Sequence, residues 1–356
     1  MKQRLKNLRA LLKKNETDAA IITDEMNIGY LCGYYYTDGY LYIDAESAYI
    51  ITDPRYDAEA RVHANPEFTV VVPKDRNEFL ADLIGKHEIK TLGFENHNMT
   101  VAQYNSFERA LIVEFVPLGQ MLTEMRAVKT EEEIAKIKRA QEITDLAFSH
   151  ILSVMQPNMT ETEIVLELSY FMQKNGADST SFNIVAVSGE SSAYPHGMPR
   201  PVPLSAGFLT MDFGCVYEHY LSDMTRTVVI GKATAEMKHL YYTVLTAQKN
   251  ALDVIRAGME CQAVDAIARD YINNAGYQGA FGHSLGHGVG LYIHENPTLS
   301  PKAALGKRLV PGNVITVEPG IYLPGKYGCR IEDMGVVTEE GFDNFTRSTK
   351  DLIELF

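Results

Sequence analysis

The sequence contains few cysteines and no pair of them at metal-binding spacing. The four in the 356-residue chain are widely separated, at Cys32, Cys215, Cys261 and Cys329. This pattern argues against both a dense disulfide framework and a thiolate-rich structural zinc site. Unpaired thiols are typical of a reducing compartment, so we expect a cytoplasmic protein in which Cys215 and Cys329 are small core residues.

The sequence also lacks a long apolar run and an excess of positive charge. No stretch approaches the length of a membrane span, and residues 1–15 read as a basic, amphipathic surface helix rather than a signal peptide. Lysine and arginine number 33 against 46 acidic residues, which gives a formal net charge of −13. This balance disfavours nucleic acid as a partner, and we expect no membrane partner either.

The length of the chain favours two domains. In residues 1–125, helical patterns alternate with short apolar runs, which predicts a small α/β domain. The runs are at residues 19–22, 40–43, 69–72 and 91–94. Thr130 and Glu133 then form a capping-box pattern at the start of an amphipathic helix. We therefore place a second domain at residues 126–356.

The second domain contains a diverged internal duplication. Each copy predicts a helix pair followed by a strand that ends in an acid, Asp212 in the first copy and Glu318 in the second. A further acid follows each of these, Asp223 and Glu332 respectively. The equivalent positions of these acids suggest a pseudo-twofold arrangement.

Two predicted hairpins bring the four acids together. In the first, Asp212 and Asp223 should lie at similar heights on neighbouring antiparallel strands. The second should turn at Pro324-Gly325 and place Glu318 opposite Glu332. Four clustered carboxylates repel one another in a low-dielectric site, so a cation is expected to neutralise them.

A glycine-rich segment supplies imidazoles close to these acids in sequence. Residues 282–297 read GHSLGHGVGLYIHENP and contain His283, His287 and His294. The glycines disfavour a regular helix, so a strand or loop should present these side chains. One imidazole beside four carboxylates suits Mn²⁺, Co²⁺, Fe²⁺ or Zn²⁺, and five ligands favour two ions bridged by carboxylates.

Six short motifs together resemble the creatinase, prolidase and aminopeptidase P family. They are MDFG (211–214), SDMTRT (222–227), GHGVGL (286–291), HENP (294–297), VEPGIY (317–322) and RIED (330–333). The resemblance covers nearly the whole chain. It implies an α/β (α+β) fold, with a creatinase-type N-terminal α/β domain before a pseudo-twofold pita-bread catalytic domain that has a curved antiparallel sheet.

The resemblance also implies roles for individual residues. The implied metal ligands are Asp212, Asp223, His287, Glu318 and Glu332. Asp223 and Glu332 would bridge two divalent ions, Mn²⁺ in the first place with Co, Zn or Fe as alternatives, and the ions would generate a bridging hydroxide. Glu318 corresponds to the family's proton shuttle.

Five further residues are implied to act around the ions. His196, His283 and His294 correspond to histidines that contact the substrate and the tetrahedral intermediate. Tyr322 and Arg330 correspond to residues that hold the ligands and histidines by hydrogen bonds. His150, on a predicted helix, and His219, beside the predicted turn of the first hairpin, are expected at the surface.

The implied activity is hydrolysis of the Xaa-Pro bond at the N-terminus of peptides. A dipeptidase (prolidase) is the main alternative, and it requires a cation for the dipeptide carboxylate. Prolidases place an arginine shortly after the HENP run, where this sequence has Thr298 and Ala304, with Arg308 displaced. This departure favours aminopeptidase-like activity on longer peptides.

Other activities on this fold are less well supported. Methionine aminopeptidases share the five ligands, but the N-terminal domain and Arg330 favour the proline-directed branch. Creatinase works without the metal cluster, whereas this chain has all five ligand residues. A non-catalytic peptide-binding relative would be expected to have lost ligands, and this chain has lost none.

The resemblance further implies short proline-containing peptides as partners and a homodimer. Asp38 could approach the substrate amine in a neighbouring subunit's site. The motif at residues 53–56, DPRY, is expected to stabilise the N-terminal domain or a subunit contact.

Overall fold

The computed structural model describes residues 2–356 and divides into two compact units, Met1–Met125 and Arg126–Phe356. Both units are mixed α/β structures, and their sheets are mainly antiparallel in the second unit. The α/β fold class predicted from the sequence is confirmed. None of the helices within residues 2–356 has the length and apolar composition that a membrane span requires.

The N-terminal unit is built on one six-stranded sheet with the order β4-β3-β2-β1-β5-β6. Its strands are β1 (Ala19–Ile22), β2 (Tyr40–Asp44), β3 (Ala48–Ile51), β4 (Thr69–Val71), β5 (Thr91–Phe94) and β6 (Glu114–Pro117). Its helices are α1 (Lys2–Lys14), α2 (Glu25–Cys32), α3 (Asp57–His63), α4 (Arg76–Lys86) and α5 (Val101–Ala110), and α6 (Met121–Ala127) follows. Helix α1 buries Leu5, Leu8 and Leu12 on one face, as its amphipathic pattern predicts.

The charged residues of the DPRY motif pair with one another inside this unit. The Arg55 guanidinium lies 2.6 Å from Asp53 and 3.0 Å from Asp38. Arg76 extends the group, with its Nη2 3.4 Å from Asp53 Oδ2. These contacts are compatible with the stabilising role that we expect for the motif.

The second unit begins each half with a pair of helices. The pairs are α7 (Glu131–Val154) with α8 (Glu161–Lys174), and α9 (Ala235–Leu252) with α10 (Cys261–Ile272). The predicted capping box forms at the start of α7, where the Thr130 hydroxyl accepts a hydrogen bond from Glu133 N and Glu133 Oε2 accepts one from Thr130 N. This exchange satisfies donors that the first helical turn leaves unpaired.

The strands of the second unit form two larger and two smaller sheets. The strands of the first half are β7 (Ser179–Thr180), β8 (Val185–Ser188), β9 (Gly207–Phe213), β10 (Cys215–Tyr217), β11 (Tyr220–Leu221) and β12 (Met224–Ile230). Those of the second half are β13 (Gly286–Gly288), β14 (Glu295–Leu299), β15 (Val314–Val317), β16 (Gly320–Leu323), β17 (Tyr327–Arg330), β18 (Asp333–Val337), β19 (Phe342–Asn344) and β20 (Glu354–Leu355). The larger sheets have the orders β20-β12-β9-β8 and β14-β13-β15-β18-β19.

Each half packs its helix pair against its own strands. Ile143 and Leu168 contribute to one core with Met211 and Val228, while Val244 and Val264 contribute to another with Ile315. All four cysteines are buried and unpaired within the described part of the chain, and Cys215 and Cys329 are core residues as expected.

Two histidines were expected at the surface. His219 lies in the turn between β10 and β11 with a positive φ of 71° and is exposed. His150 is only partly exposed, because its ring stacks on Phe171 and its Nε2 lies 2.6 Å from Glu167 Oε1. The prediction for His150 therefore holds only in part.

Candidate metal centre

The four acids lie at strand ends in the two larger sheets. Asp212 is in β9 and faces Thr225 across the β9-β12 ladder, so Asp223, two residues before Thr225, is a diagonal neighbour on the same face. Val317 faces Asp333 in the β15-β18 ladder, which leaves Glu318 and Glu332 at the next position. The predicted second hairpin forms as β16 and β17. In the first, Asp223 lies two residues away from the position opposite Asp212.

The chain approaches itself closely beside Asp223. A Cβ atom on Gly214 would lie only 1.9 Å from the carbonyl oxygen of Ser222, the residue before Asp223. A glycine at residue 214 therefore permits the two backbone segments to approach each other closely at this point. The sequence shows a glycine at this position, but the offset itself depends on the register of the ladder.

His287 brings the two pairs of acids into one cluster. Its Nε2 lies 3.5 Å from Asp223 Oδ2 and 3.4 Å from Glu318 Oε1. Ligand atoms of Asp223, His287 and Glu332 all lie within 4.8 Å of one another. The side chains of the two halves thus meet where a single cation could contact both.

The strand around His287 depends on its glycines. A Cβ atom on Gly286 would lie 2.0 Å from the Thr316 carbonyl oxygen, and one on Gly288 would lie 2.3 Å from that of Asn296. The neighbouring strands therefore leave no room for side chains on either side of His287. The prediction that a strand or loop presents this imidazole is confirmed.

The hydrogen bonds of His287 set its tautomer. Its main-chain N–H donates to Thr316 Oγ1 at 3.1 Å, and its Nδ1 lies 3.1 Å from the Gly288 carbonyl oxygen. A carbonyl oxygen only accepts, so this contact requires the proton on Nδ1. Nε2 then keeps its lone pair, which is the form that binds a metal ion.

Arg330 connects the acids with the surrounding hydroxyl groups. Its guanidinium donates to Asp212 Oδ2 and to the Tyr322 hydroxyl, both at 2.6 Å, and to Thr225 Oγ1 at 3.0 Å. The Thr225 hydroxyl in turn donates to Glu332 Oε2 at 2.7 Å. One arginine therefore fixes Asp212 directly and Glu332 through Thr225.

The same arginine connects to His283 through Tyr322. The Tyr322 hydroxyl lies 3.0 Å from His283 Nε2, and His283 Nδ1 lies 2.9 Å from the Ser284 carbonyl oxygen. His283 Nδ1 is also 4.0 Å from Glu318 Oε2. Arg330, Tyr322 and His283 thus form one continuous hydrogen-bonded chain beside the acids.

Burial changes the protonation of these groups. Burial, with the charges of Asp212 and Glu318, raises the pKa of Asp223 far above its usual range. Burial, with the charge of Asp223, does the same to the pKa of Glu332, and burial raises the pKa of Glu318 to about 8. Burial lowers the pKa of His283 to about 3 and that of His287 to about 4. Neutral imidazoles and carboxylates whose ionisation burial disfavours form a donor set that a divalent cation would stabilise.

Two carboxylate oxygens of this cluster have no hydrogen-bond partner among the described residues. Among the described residues, Asp212 Oδ1 and Glu332 Oε1 are buried side-chain atoms without a hydrogen bond. The other oxygen of each carboxylate is held by Arg330 or Thr225. Burying an unpaired carboxylate oxygen is costly, so the donor set fits a divalent cation.

His196 and His294 lie beside this cluster. His196 is in an exposed turn next to Pro195, whose carbonyl oxygen accepts a 3.4 Å hydrogen bond from Arg330 Nη1. The His294 ring lies 4.5 Å from the His287 ring, centroid to centroid. His196 is also close enough to lower the pKa values of both His283 and His294, after the effect of burial. All ten residues selected from the sequence therefore lie in this one region.

A buried ion group behind His294 was not identified from the sequence. Glu295 Oε1 accepts from Arg126 Nε and Oε2 accepts from Lys129 Nζ, both at 3.0 Å, and the Glu295 and Lys129 side chains are each 1% exposed. Residues 126 and 129 precede helix α7 and are 169 and 166 residues away from Glu295. The sequence therefore did not predict these contacts. The position of Glu295 directly after His294 was the only available signal.

A second supporting group holds His283. Arg269 in α10 donates to the His283 carbonyl oxygen at 2.7 Å and pairs with Asp265 one turn earlier. Asp265 Oδ1 also accepts from Leu285 N at 3.0 Å. The i,i+4 spacing of Asp265 and Arg269 predicts an ion pair, but not its contact with the histidine loop.

Arg308 is engaged elsewhere. It forms an ion pair with Glu260, and its Nη1 donates to the Gly258 carbonyl oxygen at 2.6 Å. Both terminal nitrogens of its guanidinium therefore already have partners. This arrangement weakens the suggestion that Arg308 replaces the missing carboxylate-binding arginine.

A duplicated α/β unit that joins four carboxylates and an imidazole at a buried site is the architecture of a metal-dependent enzyme. Comparison with known families specifies the class. Residues 135–339 match metallopeptidase family M24, and residues 4–128 match the creatinase/prolidase N-terminal domain. The chain belongs to the M24 metallopeptidases, a family of peptide hydrolases that use divalent metal ions, and the resemblance inferred from the motifs is confirmed.

Individual relatives are similar over the whole chain. An Xaa-Pro dipeptidase structure from Bacillus anthracis is 39% identical, with a TM-score of 0.96 and 99% of each chain covered. The X-Pro aminopeptidase of Thermotoga maritima MSB8 is 34% identical, with a TM-score of 0.90 and 99% and 100% coverage of this chain and that one. The Xaa-Pro dipeptidase of Pyrococcus horikoshii is 36% identical over 99% of both sequences. The pita-bread fold implied by the motifs is thereby confirmed.

Proposed function

We propose that this protein is an Xaa-Pro aminopeptidase that removes the residue preceding proline from the N-terminus of short peptides. The observation that carries the proposal is the buried cluster in which His287 Nε2 lies within 3.5 Å of acids from both hairpins. The relatives described above, which include both Xaa-Pro dipeptidases and an aminopeptidase, support proline-directed cleavage.

The residues that would hold two divalent ions are Asp212, Asp223, His287, Glu318 and Glu332. The oxygen-rich set favours Mn²⁺, and Co²⁺, Zn²⁺ or Fe²⁺ are alternatives. Bound divalent ions would supply activation of a water molecule and polarisation of the scissile carbonyl group. The unpartnered oxygens of Asp212 and Glu332 support this assignment.

The remaining residues would move protons and stabilise charge. Glu318 would accept a proton from water and deliver it to the leaving proline nitrogen. His196, His283 and His294 would hydrogen-bond the substrate and its tetrahedral intermediate. Tyr322 and Arg330 would hold Asp212 and His283 in position, as their hydrogen bonds allow.

The main alternative is a dipeptidase. The Bacillus anthracis and Pyrococcus horikoshii relatives carry that name. A dipeptide brings its carboxylate close to the site, and burying this charge without a cation is unfavourable. In this chain Thr298 occupies the position after the HENP motif, and Arg308 is paired with Glu260. These features favour substrates longer than a dipeptide.

We also propose a cytoplasmic location and a homodimer. Four buried, unpaired cysteines support the location. The dimer rests on resemblance to the family, and sedimentation of the purified protein tests it.

Metal-reconstituted protein and matched Xaa-Pro and Xaa-Pro-Yaa peptides test the activity. Chelation should abolish hydrolysis and Mn²⁺ or Co²⁺ should restore it. Because one charge-assisted hydrogen bond contributes about 1.5–3 kcal/mol, kcat/KM should favour the longer peptide by roughly 10- to 100-fold.

Two outcomes would contradict these expectations. Full activity in exhaustively demetallated protein would refute the metal mechanism. If dipeptides were the better substrates and Arg308→Ala selectively raised their KM, the protein would be a prolidase with a relocated carboxylate anchor.

A further inference from the structure

A segment near the C-terminus contacts the residues that hold Glu332. This C-terminal segment, residues 344–350, follows β19 and lies beyond residues 135–339, the range that matches the M24 family. Its side chains and carbonyl groups converge on two buried charged residues, Arg226 and Asp333. Neither of these belongs to the proposed ligand set.

Arg226 in β12 links the C-terminal segment with the main chain of Glu332. It is 1% exposed, and its Nη1 donates to the carbonyl oxygens of Glu332 and Thr225. Its Nε donates to the Thr349 carbonyl oxygen at 3.0 Å, and its Nη2 donates to that of Ser348 at 2.8 Å. A fully buried guanidinium with each nitrogen engaged in this way holds its partners in one geometry.

Asp333, the residue after Glu332, completes the link. Its Oδ1 accepts from Arg226 Nη2 at 2.8 Å, and its Oδ2 accepts from Asn344 Nδ2 at 2.8 Å and from Lys350 Nζ. Lys350 Nζ also donates to Gln248 Oε1 at 2.9 Å. Lys350 thus connects the C-terminal segment to both Asp333 and helix α9.

Glu332 is held on three atoms, all by residues 225–226. Its N–H donates to the Thr225 carbonyl oxygen at 3.1 Å, its own carbonyl oxygen accepts from Arg226, and its Oε2 accepts from the Thr225 hydroxyl. Only Oε1 remains without a partner among the described residues. The direction of this free oxygen is therefore determined by how firmly β12 and residue 333 are held together.

Charge adds to this geometric effect. Arg226 and Lys350 are two cations around the single carboxylate of Asp333, so the group has a net charge of +1. It adjoins Glu332, whose neighbours in the metal centre are other carboxylates. Arg226 and Asp333 are buried and Lys350 is 21% exposed. A positive group at this position reduces the repulsion that would otherwise displace Glu332.

We propose that Lys350, acting through Asp333 and Arg226, is a positioning residue that orients Glu332 for metal binding. The inference rests on the proposed metal centre and extends it to a segment outside the matched family range. The ions should therefore bind less tightly when the C-terminal segment is released, although Lys350 contacts neither ion nor substrate.

Lys350→Met is the informative variant, because Arg226 and Asn344 still pair with Asp333 and should allow folding. Mn²⁺ affinity and stoichiometry are measured by calorimetry on demetallated protein, and Co²⁺ binding is followed by visible absorption. Residues that orient ligands typically change metal affinity by about 10- to 100-fold, and we expect a loss of this size for at least one ion. Lys350→Arg should recover most of it.

Lys232→Met provides the matched control. Lys232 pairs with Glu354 at 3.0 Å, also near the C-terminus, but its side chain is 80% exposed. This variant should bind metal like the wild type. The melting temperatures of all metal-free variants show whether a change in affinity merely follows a loss of stability.

The outcomes separate this inference from the proposed function. If the wild type binds two ions and Lys350→Met binds them within about twofold of the wild-type affinity, below the range expected for a ligand-orienting residue, the positioning role is wrong and the metal centre stands. Equal losses in Lys350→Met and Lys232→Met would also refute it, since a general loosening of the C-terminus would then suffice. A wild-type chain that binds no divalent ion would refute the proposed metal centre and this inference with it.

Discussion

At the scale of single residues, the site brings together buried acids whose charges repel one another. Asp223 and Glu332 are buried beside other acids, and His287, in its neutral form, is only 12% exposed. A divalent cation held by these groups would offset the repulsion between the acids, and a neutral imidazole is the form of histidine that binds a metal. The histidines differ, because His287 contacts the acids directly while His196 is exposed beside them.

Substitution of these two histidines should separate metal binding from catalysis. His287→Ala should lose an ion and nearly all turnover, because Nε2 is the nitrogen nearest to the acids. His196→Ala should keep both ions and lose turnover by roughly 100-fold or more, as expected when a transition-state donor is removed. Metal content and kcat of both purified variants provide the measurement. Equal metal loss in the two would show that their roles are wrongly assigned.

The buried ion group at Glu295 makes a prediction about stability. Lys129→Met leaves Glu295 with one cation fewer at a site where both side chains are 1% exposed. Breaking a buried pair costs about 3–5 kcal/mol, and we expect about 3 kcal/mol because Arg126 still contacts Glu295. Urea unfolding of the metal-free protein measures the change in free energy of unfolding.

An exposed ion pair is the control for this variant. Lys326 and Glu236 lie 2.9 Å apart with both side chains 56% exposed. Lys326→Met should change the free energy of unfolding by about 1 kcal/mol or less. A similar effect of the two substitutions would mean that burial does not strengthen the Glu295 group.

At the scale of secondary-structure elements, helices and turns followed the local signals closely. The capping boxes at Thr130 and Thr160 form, and the turn at Pro324-Gly325 connects β16 to β17. Strands β3 and β6 were not among the runs selected from the sequence. Their assignment depends on the strands with which they pair, which are β2 and β4 for β3 and β5 for β6.

The glycines of the His287 strand provide a test at this scale. Gly286→Ala adds a methyl group where the Thr316 carbonyl oxygen would lie 2.0 Å away, so β13 and β15 must separate. We expect destabilisation by about 1–3 kcal/mol, as for overpacked sites, together with weaker metal binding. Thermal unfolding and Mn²⁺ titration measure the two effects.

Gly282→Ala is the control, since no atom lies within 4 Å of a Cβ at that position and the residue is in the same segment. It should leave both stability and metal affinity nearly unchanged. If Gly286→Ala behaved in the same way, the close strand approach would have no role in forming the site.

At the scale of the whole molecule, the metal centre couples stability to pH. The pKa of Glu318 is raised from 4.5 to about 8, so the folded state binds more protons than the unfolded state between these values. Its stabilising effect is complete below pH 4.5 and is lost as pH rises through 8. His287, lowered from 6.5 to about 4, acts in the opposite sense and stops contributing a slope above pH 6.5.

Metal-free protein should therefore lose stability between pH 6.5 and 8, where the acids alone set the slope. Divalent ions stabilise the ionised carboxylates, so Mn²⁺ should raise the melting temperature more at pH 8 than at pH 6.5. Thermal unfolding at both pH values, with and without Mn²⁺, checks this expectation. An increase in metal-free stability across this interval would contradict the assigned direction for Glu318.

The sequence by itself determined the family and the fold class, and it selected the ten residues that the structure brings together at the proposed metal centre. These features depend on local patterns, such as an acid at the end of a predicted strand or a histidine between glycines. Such patterns can be read within short windows because they reflect backbone propensity and the spacing of side chains.

Only the tertiary structure determined which groups support these residues. Glu295 pairs with Lys129 across 166 residues, and Arg226 reaches Asp333 across 107. The offset of Asp212 from Asp223 likewise follows from the β9-β12 register. These contacts depend on how distant segments pack and on the register of the paired strands. A shift of one residue in that register would move every side chain of a strand to the opposite face of the sheet. Local sequence therefore cannot specify these contacts.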